Sequence, residues 1–226
     1  MDTVLQQGLF VTFEGLDGCG KSTQLALCAE ALIAQGYSVL TTRNPGGTAF
    51  GQELRQILLH SQGPVFPLSE LLLFIADRAQ HMDEVVFPAL AKGTIVLCDR
   101  HMDSTLAYQG YGRGLSIDTI RELNHIAIQG KQPDLTVLFD AEPAVLAQRV
   151  NHRGQADRLE GEKAEFHNKV RAGFLDLARQ EPQRIRVFDA TESPEALHPK
   201  VLQTLEAALK PLETLCKQET RHGQAF

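Results

Sequence analysis

Cysteine is scarce in this chain, and the four present, at positions 19, 28, 98 and 216, form no C-x-x-C pair. That spacing excludes a disulfide-stapled secreted scaffold and offers no zinc or redox motif, so the thiols are expected to stay reduced. No apolar run reaches the ~20 residues of a membrane helix, and the N-terminal "MDTVLQQG" has neither a basic n-region nor an apolar h-region. A cytoplasmic protein with no membrane partner is expected. The formal net charge is -6, with 43% hydrophobic and 22% charged residues and no block of one sign at either end. Nothing in the balance points to nucleic acid, although a few arginines can still make one cleft basic.

Internal repeats and low-complexity linkers are also missing. The 226 residues lie within the size that one core can serve, so a single domain over residues 1–210 is expected. Residues 211–226, "PLETLCKQETRHGQAF", start on a proline and lose apolar periodicity after Leu215; they are expected to be a disordered tail.

What is present alternates regularly. Short apolar runs rich in β-branched residues recur at 9–13, 37–42, 94–98, 135–140 and 185–189, and their continuous apolar character predicts strands buried on both faces. Helical spacing fills 21–35, 68–91, 116–129, 162–180 and 194–209. The alternation predicts an α/β fold with a parallel sheet covered on both sides. Two glycine-rich stretches, "RNPGGTAFG" (43–51) and "YQGYGRG" (108–114), mark places where backbone comes close to something else.

Between the first strand and the first helix lies Gly15-Leu16-Asp17-Gly18-Cys19-Gly20-Lys21-Ser22, followed by Thr23. It fits the phosphate-loop pattern G-x-x-x-x-G-K-[ST] in the strand-to-helix context that the pattern requires. Glycines let main-chain N–H groups turn toward phosphates, Lys21 is expected to reach the β and γ oxygens of a nucleoside triphosphate, and the Ser22 hydroxyl suits Mg²⁺. No N-K-x-D guanine-reading motif follows a late strand, which argues against a GTPase. The third apolar run ends in "TIVLCDRH", where Asp99 can serve Mg²⁺ and Arg100 can grip a second phosphate.

With these motifs in order, "FEGLDGCGKSTQ", "TRNPGGT", "LLLFIADRAQH", "VLCDRHMDSTLAYQGYGRG", "PDLTVLFD" and "RGQADRLE", the chain resembles the bacterial thymidylate kinases over about residues 8–209. The resemblance implies a three-layer P-loop NTPase fold, a five-stranded parallel sheet flanked by helices, with a mobile lid at about 148–160. It implies transfer of the γ-phosphoryl of ATP to dTMP with Mg²⁺, in a homodimer. It also implies that Phe74 stacks on the base, that Arg78, Thr105 and Gln109 meet its polar edge, and that Tyr108 lies under the deoxyribose. Asp17 would bind the sugar 3′-hydroxyl, and Arg43 and Arg100 the acceptor phosphate. The residues are suited to those roles, since an aromatic ring offers a face for a base and an arginine donates to a carbonyl.

Some members of the family carry a basic residue directly after the loop's acidic one, but here that position is Gly18. The charge on the transferred group would then be met from the lid, with Arg153 the first candidate and Arg158 the second, while Arg149 would face solvent. Asn44 stands where the family usually has glutamate, Asn151 where related lids can carry arginine, and Phe174 where tyrosine is common. Two rival readings remain: a kinase for another monophosphate (dUMP, dCMP or AMP), and a P-loop regulatory switch. The second leaves Arg43, Phe74, Arg78 and Arg100 without a joint purpose.

Overall fold

The computed structural model describes residues 5, 7–150 and 157–222. Its centre is one parallel sheet of five strands, β1 (Phe10–Gly15), β2 (Val39–Arg43), β3 (Ile95–Asp99), β4 (Leu135–Asp140) and β5 (Ile185–Asp189), in the order β2-β3-β1-β4-β5. The strand ends agree with the apolar runs to within two residues. Central β1 is buried along its whole length, and β3 and β4 at all but their last residue. Edge strands β2 and β5 are largely part-exposed, because an edge strand has a neighbour on one side only. Expecting every run to be buried on both faces therefore holds for three strands and fails at the edges.

Helix α1 (Lys21–Ala34) follows β1 directly. The helix expected over 68–91 is broken in two, α3 (Pro67–His81) and α4 (Phe87–Ala91), by a π-type stretch at Met82–Val86. Pro88 explains the break, since it has no N–H to donate and the preceding Phe87 N–H already reaches back to the Met82 carbonyl. Helices α6 (Ile117–Ala127) and α8 (Ala164–Gln180) lie where their spacing predicts.

Three helices fall where sequence spacing gave none. Helix α2 (Ala49–His60) starts inside the first glycine-rich stretch, capped by Thr48, whose hydroxyl accepts from the Gly51 N–H at 2.9 Å. Helix α5 (Met102–Thr105) runs into a π-type stretch at Leu106–Gly112, which spans most of the second. Two of its glycines are explained by the neighbouring helices: a Cβ on Gly112 would lie 2.6 Å from the Phe166 ring of α8, and one on Gly110 would lie 2.4 Å from the Ile117 side chain of α6. Helix α7 (Pro143–Val150) follows β4. Helix α9 runs from Pro194 to His222 through Pro199 and Pro211, so residues 211–222 are helical where a tail is expected. Leu205 and Leu209 are buried and Leu212 packs against the same core, so one apolar face carries the helix past a proline that removes a single hydrogen bond.

Candidate active site

The carboxyl ends of β1, β2 and β3 deliver Gly15, Arg43 and Asp99 to one edge of the sheet, where open α/β sheets form their sites. Gly15 cannot be replaced there: its φ is 134°, and a Cβ would lie 2.4 Å from the Phe139 carbonyl and 2.9 Å from the Cys19 sulfur. That contact also accounts for Cys19, a buried small side chain tucked behind the turn. Gly18 and Gly20 take positive φ as well, which turns main-chain N–H groups inward. Lys21 Nζ donates to the carbonyls of Gly15 (3.1 Å) and Leu16 (2.9 Å). The Ser22 hydroxyl donates to Asp99 Oδ2 at 2.8 Å, so the two oxygen groups read as metal ligands lie side by side.

Two pockets meet at this edge. One lies over the loop and is lined by Gly18, Lys21, Ser22, Thr23, Arg43 and Asp99; the other is lined by Phe74, Arg78, Thr105, Tyr108, Gln109 and Leu159. Asp17, Asn44, Arg55 and Arg100 line both. Arg43 thus belongs to the loop side, and the residues read as a base site are together on the other.

Arg100 is the hinge of the shared wall. It has a φ of 67°, donates to Asp17 Oδ1 at 2.7 Å and to the Tyr108 hydroxyl at 3.2 Å, and lies 5.1 Å over the Tyr108 ring. Burial alone would raise the Asp17 carboxyl, but Arg100 and then Lys21 outweigh it and hold it well below the usual range. Burial would likewise lower Arg100, and the charge of Asp17 pushes it above its ordinary value instead.

Glu14, the last buried residue before the loop, fixes the turn that carries Arg100. Its carboxylate accepts from the His101 N–H at 2.7 Å and from the Ser104 hydroxyl at 2.5 Å, and Ser104 in turn accepts from Arg100 at 3.1 Å. Burial and the nearby Asp103 charge raise Glu14 to about 7. Asp103 is itself held by Arg184 at 2.7 Å through both its oxygens.

In the second pocket Arg78 is almost fully buried. Its guanidinium donates to Asn124 (2.5 Å), Asn44 (2.9 Å) and the His101 carbonyl (3.1 Å), and its Nε has no partner. Burial lowers Arg78 to about 10 against the opposing charge of Asp77. Asn44 meets the departure noted in the sequence with a relay, since its amide donates to Asp77 while its oxygen accepts from Arg78. An arginine-orienting group therefore exists without a glutamate at position 44. Phe174 packs edge-on against Tyr108 with centroids 6.2 Å apart, a contact that needs no hydroxyl.

The arginines of the expected lid divide. Arg153 lies in 151–156, outside the described residues, as does Asn151. Arg158 does not face the loop: it pairs with Glu70 at 2.6 Å and donates to the Leu58 carbonyl at 2.8 Å, at the rim of the second pocket. Arg149 donates to the Ala190 carbonyl at 2.8 Å and so ties α7 to the turn after β5. The sequence reading missed Arg55, which lines both pockets and donates to the Pro45 carbonyl at 3.1 Å. Burial, with Arg43 and Arg100 nearby, lowers its affinity for a proton, the mark of cations gathered for an anion. Its signal was available in Thr48 as an N-cap, with Leu54 and Leu58 spaced for burial behind it.

A phosphate loop beside a second, aromatic-walled pocket, with arginines at the junction, defines an α/β nucleotide phosphotransferase. A model of the thymidylate kinase family matches residues 13–201. A thymidylate kinase of a Synechococcus strain is 52% identical over 206 residues, 91% of this chain and 98% of its own. That of Deinococcus radiodurans is 49% identical over 87% and 96%. The crystal structure of thymidylate kinase from Ehrlichia chaffeensis superposes with a TM-score of 0.72 at 37% identity, covering 88% of this chain and 99% of that one. The chain belongs to the thymidylate kinase family, and it is a kinase that phosphorylates dTMP. A regulatory switch is thereby set aside. Among the described residues no helix is long and apolar enough to cross a membrane.

Proposed function

We propose that ATP binds over the phosphate loop and dTMP in the Phe74 pocket, so that the γ-phosphoryl group crosses the wall formed by Asp17, Asn44, Arg55 and Arg100. The observation that carries this reading is that shared wall, since in-line transfer needs donor and acceptor to meet at one boundary. Loop N–H groups cradle the ATP phosphates, and Lys21 exchanges its carbonyl partners for phosphate oxygens. Arg43, Arg55 and Arg100 surround the acceptor phosphate, and Asp17, kept anionic by Arg100, accepts from the sugar 3′-hydroxyl. Phe74 stacks on thymine, and the unpartnered Arg78 Nε and Thr105 hydroxyl suit its polar edge. Tyr108 closes the sugar side.

Ser22 and Asp99 suit Mg²⁺, which takes hard oxygen ligands and keeps most of its shell as water and phosphate. Among the described residues no cluster of three or more potential ligands competes for it. When bound, the ion neutralises phosphate charge; positioning and the remaining charge belong to Lys21 and the arginines.

Arg153 is the lid residue proposed to reach the transferred phosphoryl group. Arg153→Ala is expected to lower kcat by ~10²-fold with dTMP affinity nearly intact; near-normal turnover removes the assignment. A coupled assay of ADP release with dTMP, dUMP, dCMP and AMP tests the substrate, and a better acceptor than dTMP overturns it. dUMP differs by one methyl, worth ~1–3 kcal/mol, so slower dUMP turnover is expected.

A homodimer is proposed on the exposed apolar side chains of α3 and the two helices that pack on it: Phe50 and Ile57 of α2, Phe66 and Leu68 at the start of α3, and Ile126 of α6. A monomeric mass in light scattering at micromolar concentration counts against it. The reaction is assigned to the cytoplasm, where the buried free thiols of Cys19, Cys28 and Cys98 stay reduced.

A further inference from the structure

Glu70 lies on α3 with no exposed surface, and it belongs to neither the phosphate machinery nor the residues read as touching base. Four donors nevertheless converge on it. Oε1 accepts from Gln109 Nε2 at 2.7 Å and Arg113 Nε at 3.2 Å; Oε2 accepts from Arg113 at 3.2 Å and Arg158 at 2.6 Å. Its two guanidinium partners explain how a carboxylate is kept in a buried position. They do not explain why the shortest neutral contact goes to Gln109, a wall residue of the acceptor pocket.

A carboxylate can only accept, so the Gln109 amide must turn its NH₂ toward Glu70 and leave its carbonyl oxygen for the pocket. Opposite polarity is offered by the unpartnered Nε–H of Arg78. The pocket edge thus reads acceptor at Gln109 and donor at Arg78. Thymine answers with N3–H and the O4 carbonyl. Cytosine has a lone pair at N3 and an amine at C4, and mismatches both.

We propose that Glu70 is a positioning residue that selects the acceptor base, by locking the Gln109 amide with its oxygen toward the pocket. The inference rests on the reading that the Phe74 pocket takes the base of dTMP. Arg113 and Arg158 hold the carboxylate from the far side, and the same Arg158 donates to the Leu58 carbonyl while the neighbouring Leu159 packs with Phe74. One buried carboxylate therefore ties the rim of the pocket to the orientation of its polar edge.

The test is Glu70→Gln, assayed with dTMP and dCMP. The oxygen of the new amide will keep the place of Oε2 with Arg158 and the terminal nitrogen of Arg113, its NH₂ will replace Oε1 toward Gln109 with loss of the 3.2 Å Arg113 Nε contact, and Gln109 will reverse to meet it. The kcat/KM ratio of dTMP over dCMP is expected to fall at least ~100-fold, because a site built to pair a polar group loses its discrimination when that group is reversed. Glu70→Asp keeps the charge for both arginines, and with it the fold, but withdraws from Gln109; the ratio should fall here too. An unchanged ratio in either folded variant, including an equal loss on both substrates, overturns the proposal. Failure of the unmodified protein to prefer dTMP over dCMP would instead count against the pocket reading itself.

Discussion

The pocket over the phosphate loop takes most of its wall from two short stretches, residues 17–23 and 43–44, joined by Arg55 and the Asp99-Arg100 turn. The adjoining pocket draws Phe74 and Arg78 from α3, Thr105 from α5, Tyr108 and Gln109 from the stretch after it, and Leu159 from the segment before α8. In the first, the backbone sets the geometry, through glycines at positive φ and a helix N-terminus. In the second, side chains form the wall, and two of them are held by partners far away in sequence, Arg78 by Asn44 and Asn124 and Gln109 by Glu70. A contiguous loop can serve any triphosphate, whereas an assembled pocket can choose its base. The two should therefore fail differently.

The sharpest separation is expected from Lys21→Ala. It should lower kcat about 10³-fold for every acceptor alike, because the charge it supplies acts on the transferred group and not on the base. A loss that depends on the acceptor would break the division. On the other side, Phe74→Leu should raise the KM for dTMP about 10-fold and leave kcat within about twofold, since stacking is worth ~1–3 kcal/mol per base. A kcat effect as large as that on KM would mean that the pocket also aligns the phosphate.

The smallest effect tests the joint between the two. Glu14 is raised to about 7 in the fold, so between about pH 4.5 and 7 the folded chain binds more protons at this group than the unfolded one. Its contribution is full below the unfolded pKa and is lost as pH rises through 7. Glu14→Gln should remove that part of the decline, giving a Tm that falls less between pH 5 and 8 than that of the parent. Parallel Tm profiles would show that Glu14 does not carry the proton.

These contrasts also explain what could be read in advance. Strand positions were legible because each is a short apolar run, and Lys21, Ser22 and Asp99 because their motifs are local. Helix α2 was obscured by glycines at 46, 47 and 51, and Arg55 was lost with it. Arg158 was misdirected because sequence gives an arginine in a lid no address; a buried carboxylate on α3 supplies one. Gln109 could be picked out from its motif, but the end of its amide that is left for the pocket is set by a contact with Glu70, 39 positions away.

By itself the sequence determined a parallel α/β sheet, a phosphate loop with its lysine and metal-side hydroxyl, and the family of the chain. Each is encoded in contiguous residues, where spacing and backbone preference suffice. Only the tertiary structure decided that Asp17 and Arg100 join the two pockets, that Asn44 relays between Asp77 and Arg78, and that Glu70 commits Gln109. Those depend on buried polar groups finding partners across the fold, and a buried donor or acceptor is satisfied by whatever packing brings to it.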